Sequence, residues 1–175
     1  MNSAKYKYID RFHEGFARVE LNGRWNFIDK QGNYLSDQWF GLCGDFYEGF
    51  ARVELNGRWN FIDKQNNFIG EQWFDWCLDF SKGFAIIKLN GRWNFIDKQG
   101  NYLSDQWFDW CGNFNNGFAI VMLNSKWNYI DYHGYLLSDQ WFDLCSTFNK
   151  GTAGVRIDGI HKVINTKGEI VNETN

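Results

Sequence analysis

LNGRWNFIDKQ occupies residues 21–31, returns unchanged at 55–65 and 89–99, and returns in altered form as LNSKWNYIDYH at 123–133 and IDGIHKVINTK at 157–167. The spacing is 34 residues throughout. Self-similarity at a fixed period marks a repeat architecture, so the chain reads as five copies of one unit. Inside the stretch, Asn22-Gly23 separates two β-rich runs, Phe16-Ala17-Arg18-Val19-Glu20-Leu21 and Arg24-Trp25-Asn26-Phe27-Ile28-Asp29. Asn-Gly between such runs is a strong hairpin signal, because both central residues of a type I′ turn need positive φ. A two-residue loop sets Leu21 opposite Arg24, Val19 opposite Asn26 and Ala17 opposite Ile28. Glu20/Trp25 and Arg18/Phe27 share the other face. Both faces carry apolar residues, so the hairpin needs neighbours on both sides.

Working outward, a second turn is expected at Gln31-Gly32-Asn33, with Gly32, Asn66, Gly100, Gly134 and Gly168 in equivalent places. Asn is the residue after Gly that best tolerates the left-handed region. A third extended segment, Tyr34 to Phe40, follows and ends in a Trp-Phe pair. Period 2 dominates over 3.6, so no helix is expected. The fold class is therefore all-β: five 34-residue repeats of a β-hairpin plus third strand. They form a single repeat domain over 1–175, in register with Gly15, Gly49, Gly83, Gly117 and Gly151. Two or three strands alone are marginal in water, so neighbouring units must bury their rings jointly. An open twisted β-solenoid is the expected arrangement, with a closed five-bladed propeller-like ring as the alternative. For closure, Lys5–Gly15 aligns with Trp39–Gly49 and completes the fifth copy, as when two termini share a blade. For the open stack, Thr152, Gly154 and His161 lighten the last unit, as in an end cap.

Aromatics make up 20% of the 175 residues, with ten Trp and seventeen Phe, which points to flat packing surfaces or ring-stacking sites. A formal net charge of −3 argues against a nucleic-acid surface. No apolar run approaches a membrane span, and Met1–Asp10 lacks the apolar stretch of a secretory signal, so a cytoplasmic location is expected. Cys43, Cys77, Cys111 and Cys145 recur once per repeat without any CxxC pair, which reads as small buried thiols.

Glu14-Gly15-Phe16-Ala17-Arg18-Val19, then Gly23-Arg24-Trp25-Asn26-Phe27-Ile28-Asp29, then Gly32, resembles the unit of the WG-repeat family of bacterial proteins. The match recurs at 48–66, 82–100 and 116–134, and more weakly from 150. Asn26, Asn60, Asn94 and Asn128 stand where that family usually has the Gly of its namesake dipeptide, and its usual Pro is absent. The resemblance implies a β-rich interaction scaffold, with no catalytic motif to carry over.

The residues themselves supply no reaction. His13, His133 and His161 occupy three different repeat positions, and no nucleophile elbow or phosphate loop is present. Asp29, Asp63, Asp97 and Asp131 each precede a tight turn and read as turn caps rather than metal ligands. No cofactor and no metal is expected. Candidate ligand-binding residues are Trp39, Trp73, Trp107 and Trp141 with their neighbours Gln38, Gln72, Gln106 and Gln140, repeated beside Asp37, Glu71, Asp105 and Asp139. Drift between copies marks a candidate partner surface, where Arg18 and Arg52 become Ile86 and Ile120, and Glu20 and Glu54 become Lys88 and Met122. The functional expectation is a non-catalytic scaffold mediating protein–protein interaction. The alternative is a carbohydrate or small-molecule binding module with aromatic sites between repeats.

Overall fold

The computed structural model describes residues 5–171. Fifteen strands run in chain order: β1 (Tyr8–Ile9), β2 (Ala17–Leu21), β3 (Arg24–Ile28), β4 (Leu42–Cys43), β5 (Phe50–Leu55), β6 (Arg58–Asp63), β7 (Trp76–Cys77) and β8 (Phe84–Leu89), then β9 (Arg92–Asp97), β10 (Trp110–Cys111), β11 (Phe118–Leu123), β12 (Lys126–Asp131), β13 (Leu144–Cys145), β14 (Thr152–Ile157) and β15 (Ile160–Asn165). They form five three-stranded sheets, β1-β2-β3, β4-β5-β6, β7-β8-β9, β10-β11-β12 and β13-β14-β15. Each sheet ends at its own edges, so the strands do not close into a barrel, and the described residues contain no α-helix. The chain divides into two compact units, one running to Asn90 and including Ile96–Asn101, the other Gly91–Phe95 with the residues from Tyr102 onward.

The hairpin register follows from the turn. Asn22 and Gly23 have φ of 53° and 76°, which closes a two-residue loop and pairs Leu21 with Arg24, Val19 with Asn26 and Ala17 with Ile28. The same offsets recur in β5–β6, β11–β12 and β14–β15. The second turn also forms as expected. Asp29 Oδ1 accepts from the Gln31 and Asn33 amides at 2.9 and 2.8 Å, and Asp63, Asp97 and Asp131 cap their turns alike. Gly100 in this turn has φ of 88°, and a Cβ there would lie 2.8 Å from the Ile69 carbonyl oxygen, so the preceding repeat presses against it.

The third strand differs from expectation in position and in partner. Tyr34–Phe40 makes only single bridges back to its own hairpin, Ile28 to Tyr34 and Trp25 to Phe40. The strand proper comes two residues later, as Leu42–Cys43, and pairs forward with β5 of the next hairpin, Leu42 with Glu54 and Cys43 with Val53. Each of the sheets led by β4, β7, β10 and β13 is therefore built from two successive sequence repeats. A buried asparagine explains why the intervening segment curls instead of pairing. Asn26, fully buried, donates from Nδ2 to the Ser36 and Gln38 carbonyls at 2.7 and 3.2 Å, while its Oδ1 accepts from the Phe27 amide at 2.8 Å. Asn60, Asn94 and Asn128 are equally buried and bonded. Satisfied in this way, the amide replaces backbone pairing that the segment lacks.

Rings join successive sheets. Phe46, just after β4, sits 5.2 Å from Phe16 and 5.0 Å from Phe27 of the preceding sheet, and Phe80 stands likewise 5.1 Å from Phe50 and 4.9 Å from Phe61. In the second unit Phe148 lies 4.9 Å from Phe118 and 4.8 Å from Tyr129. Burying one such ring is worth about 2–3 kcal/mol, so these inter-sheet plugs are a principal source of cohesion. A further turn reinforces them in the first unit. Glu14-Gly15 and Glu48-Gly49 have positive φ at both residues. The Glu14 carboxylate accepts the Glu48 and Gly49 amides at 2.8 and 2.9 Å, and Lys64 pairs with it at 3.0 Å. Glu48 holds the Lys82 and Gly83 amides the same way, with Lys98 at 3.0 Å.

Candidate binding site

The variable positions 18, 52 and 120 point towards the seam between a sheet and the turn of the next one. In the first repeat the Arg18 guanidinium pairs with Asp10, lies 2.8 Å from Asp45 and donates to the Cys43 carbonyl at 2.9 Å. It also sits 5.8 Å from the Trp25 ring centroid. Burial alone would lower its pKa, but Asp10 and Asp45 prevail and raise it. Arg52 repeats the arrangement with Asp79 at 3.0 Å and the Cys77 carbonyl at 3.2 Å, over the rings of Trp59 and Trp76 at 5.3 and 5.9 Å. Burial, with Asp45 adding, lifts the Asp79 carboxyl above its ordinary range against the pull of Arg52 and Arg18.

The third repeat lacks this charge pair, with Ile86 and Asn113 in the two places, and so does the fourth. Ile120 replaces the arginine, and 27 residues on, where Asp45 and Asp79 stand after Arg18 and Arg52, the chain has Thr147. A cavity of about 330 Å³ opens there, with Ile120, Phe118, Tyr129 and Phe148 among its walls and Trp110, Asn113, Asn115 and Thr147 contributing to its lining. Tyr129 takes the place of Phe27 and Phe61, and its hydroxyl donates to the Ser146 carbonyl at 2.6 Å. Burial is the foremost reason that the Tyr129 pKa lies far above the ordinary range.

Arg18, Arg52, Ile86 and Ile120 thus do not make an open partner surface. Ile86 is 4% exposed, the arginine side chains are about three-quarters covered, and Ile120 lines the cavity. The reason is geometric for Arg18, Arg52 and Ile120: these side chains share the face that meets the next turn. Trp39, Trp73, Trp107 and Trp141 are half-buried, and the first three already have an aromatic neighbour, Tyr34, Phe68 and Tyr102, at 5.3, 5.3 and 5.1 Å. Gln38, Gln72, Gln106 and Gln140 are exposed beside them, and Gln72 Nε2 donates to the Trp73 carbonyl at 2.7 Å. None of these tryptophans and glutamines lines the cavity. No group of three or more metal-ligating side chains occurs among the described residues, and no helix there is long and apolar enough to cross a membrane. The cysteines are free; burial, the leading cause at each, raises every thiol, Cys145 to about 11.

A second set of positions lies on the leading strands. The first residue of each two-residue leading strand, Tyr8, Leu42, Trp76, Trp110 and Leu144, is 40–50% exposed. Its cross-strand partners are Glu20, Glu54, Lys88, Met122 and Arg156. The sequence marks this slot as apolar, and pattern alone then suggests burial. The signal that separates the two is the partner column, which alternates among acid, base and thioether as a core column would not.

The sequence profile described as "WG containing repeat" matches residues 3–25, 27–59, 61–93 and 95–127. No curated protein matches the chain in sequence. Among solved structures, Hsv2 of Kluyveromyces lactis aligns at 11% identity and TM-score 0.47, covering 91% of this chain and 59% of that one. A Bacteroides caccae protein of unknown function aligns at 10% identity and TM-score 0.37, covering 93% and 78%. PorZ of Porphyromonas gingivalis, described as a surface component of a type-IX secretion system, aligns at 9% identity and TM-score 0.44, covering 95% and 28%. The chain spans less than two thirds of the length of the Hsv2 chains.

Proposed function

The chain belongs to the family of proteins built from the WG containing repeat, and on that premise we propose that it is a non-catalytic scaffold that mediates protein–protein interaction. One observation carries the reading. On a framework held constant by turns, buried asparagines and ring plugs, each sheet offers one exposed large apolar side chain at its leading strand. The residue paired with it changes from copy to copy: Tyr8/Glu20, Leu42/Glu54, Trp76/Lys88, Trp110/Met122 and Leu144/Arg156. Directly opposed residues share a face, so each pair forms one small patch with its own charge. Tryptophan and tyrosine at such patches are the residue types that anchor protein contacts. A varied set of patches fits a protein partner better than one small ligand bound five times over.

The test is site-specific photo-crosslinking in the native extract, with the reactive residue at 42, 76 or 110 and a control at the exposed turn residue Gln65. We expect one discrete adduct from the slot positions and none from the control. Purified with its partner, the Trp76→Glu chain should then bind at least tenfold more weakly while its far-ultraviolet spectrum is unchanged. Equal adducts at Gln65, or unchanged affinity for Trp76→Glu, would remove the reading.

A further inference from the structure

We propose that the cavity in the second unit is a binding site for a free, uncharged, planar heteroaromatic molecule. The proposal shares Trp110 with the partner patches but does not depend on them, since the other lining residues belong to none of those patches.

The cavity stands where the charge pair of the first two repeats is absent. Where the first two repeats fill the seam with a guanidinium and its carboxylate, the fourth has Ile120 and Thr147, so both charges have gone together. Loss of the arginine alone would have stranded a half-buried carboxylate; loss of both leaves a neutral void. The residue at 112 is also adapted. A Cβ on Gly112 would lie 2.7 Å from the Trp110 ring, and the equivalent residue of the preceding repeat is Leu78. Glycine therefore lets the indole fold in at the cavity's edge.

The lining states what fits. Phe118, Tyr129 and Phe148 present ring faces and edges, and rings pair with rings in offset or edge-on geometry. No lining residue carries a formal charge, so an ion would leave water without a counter-charge. About 330 Å³ lies at the small end of ligand pockets and suits about one to two fused rings. Asn113, Asn115 and Thr147 are exposed and supply two amides and a hydroxyl. That is more donors and acceptors than the single polar atom of a tryptophan or tyrosine side chain can use, which favours a free heterocycle over a residue of a partner.

The full chain, isotope-labelled for amide and indole N–H signals, is titrated with adenine, N-acetyltryptophanamide, tetramethylammonium and glucose. Adenine should move the Trp110 indole signal and the Asn113 and Asn115 amides along a saturating curve, and the other three probes should bind at least tenfold more weakly. Ile120→Arg with Thr147→Asp, which rebuilds the ion pair of the first two repeats, should cost adenine binding at least tenfold. Gly112→Leu, which places the residue of the preceding repeat beside Trp110, should do the same and serves if the double variant fails to fold. Gln65→Glu, on an exposed turn of the first unit, should bind adenine as the parent does. The proposal is overturned if adenine leaves Trp110 unmoved at millimolar concentration, if any other probe binds as well, or if both cavity variants bind adenine like the parent.

Discussion

The second and fourth repeats share a backbone plan and differ in what fills the seam beyond it. In the second, Arg52 reaches Asp79 and the Cys77 carbonyl across two tryptophans. In the fourth, an apolar side chain and a hydroxyl stand in the same two places and leave space. The difference teaches that the fold does not rest on this ion pair, because the hairpin register, the buried asparagine and the ring plug are the same in both. The pair is a filling, and the fourth repeat has a cavity in its place.

The largest effect should come from what the two repeats share. Asn60→Ala and Asn128→Ala each strand a buried amide N–H and a carbonyl, and each should cost about 2–4 kcal/mol by chemical denaturation. Very unequal losses would break the claim of a common framework. Next in size is the filling itself. Arg52→Ile alone leaves the Asp79 carboxylate without its cation and should destabilise by about 1–2 kcal/mol, discounted from the fully buried case because both side chains keep some solvent. Arg52→Ile with Asp79→Thr copies the fourth repeat into the second. It should recover about 1 kcal/mol of that loss in a double-mutant cycle. Additive losses would mean the two positions are not one device.

The smallest effect separates the units by acidity. Burial would raise the Glu14 pKa, but Lys64 and the Gly49 and Glu48 amides prevail and lower it; Glu48 is lowered likewise by Lys98 and the Gly83 and Lys82 amides. A carboxyl with a depressed folded pKa contributes stability that is present above its unfolded pKa and lost as pH falls through the folded value. Glu14→Gln should therefore flatten the decline of stability on acidification below the usual glutamate range. The change should be under about 1 kcal/mol, since these are partly exposed pairs. In the second unit the equivalent residue, Asn116, donates from Nδ2 to the Phe148 carbonyl at 2.7 Å. Asn116→Ala should shift the midpoint by the same amount at pH 4 and pH 7.

What could be read from sequence was what the chain decides locally. Asn22-Gly23 fixes the hairpin and its pairs, Asp29 caps its turn, and the 34-residue period gives five units of hairpin and third strand. The second positive-φ turn at Glu14-Gly15 is not signalled by its own residues, although Asn116-Gly117 in the fourth copy is an ordinary sign of it. The leading strands escaped because two residues carry no periodicity, and nothing in Leu42-Cys43 says whether it pairs backward or forward. Alternation placed Arg18 and Ile120 on one face correctly but could not say that the next turn covers that face. The cavity is lined in part by Ile120 and Thr147, which stand 27 residues apart. Its trace in sequence is the joint loss of arginine and aspartate together with Gly112, where the preceding repeat, which has lost the same pair, carries Leu78.

Because each hairpin takes its first strand from the segment just ahead of it, the order of synthesis matches the order of pairing. Leu42–Cys43 leaves the ribosome before β5, and only the turn around Phe46 separates them. A short loop closes at little entropic cost, and contacts of small sequence separation form quickly. Each new hairpin thus emerges beside an edge already waiting for it, with the ring that will plug the previous sheet carried on the same connection. Assembly of this kind advances by one increment per period of translation and lets the gene gain or lose whole periods without disturbing the increments already laid down.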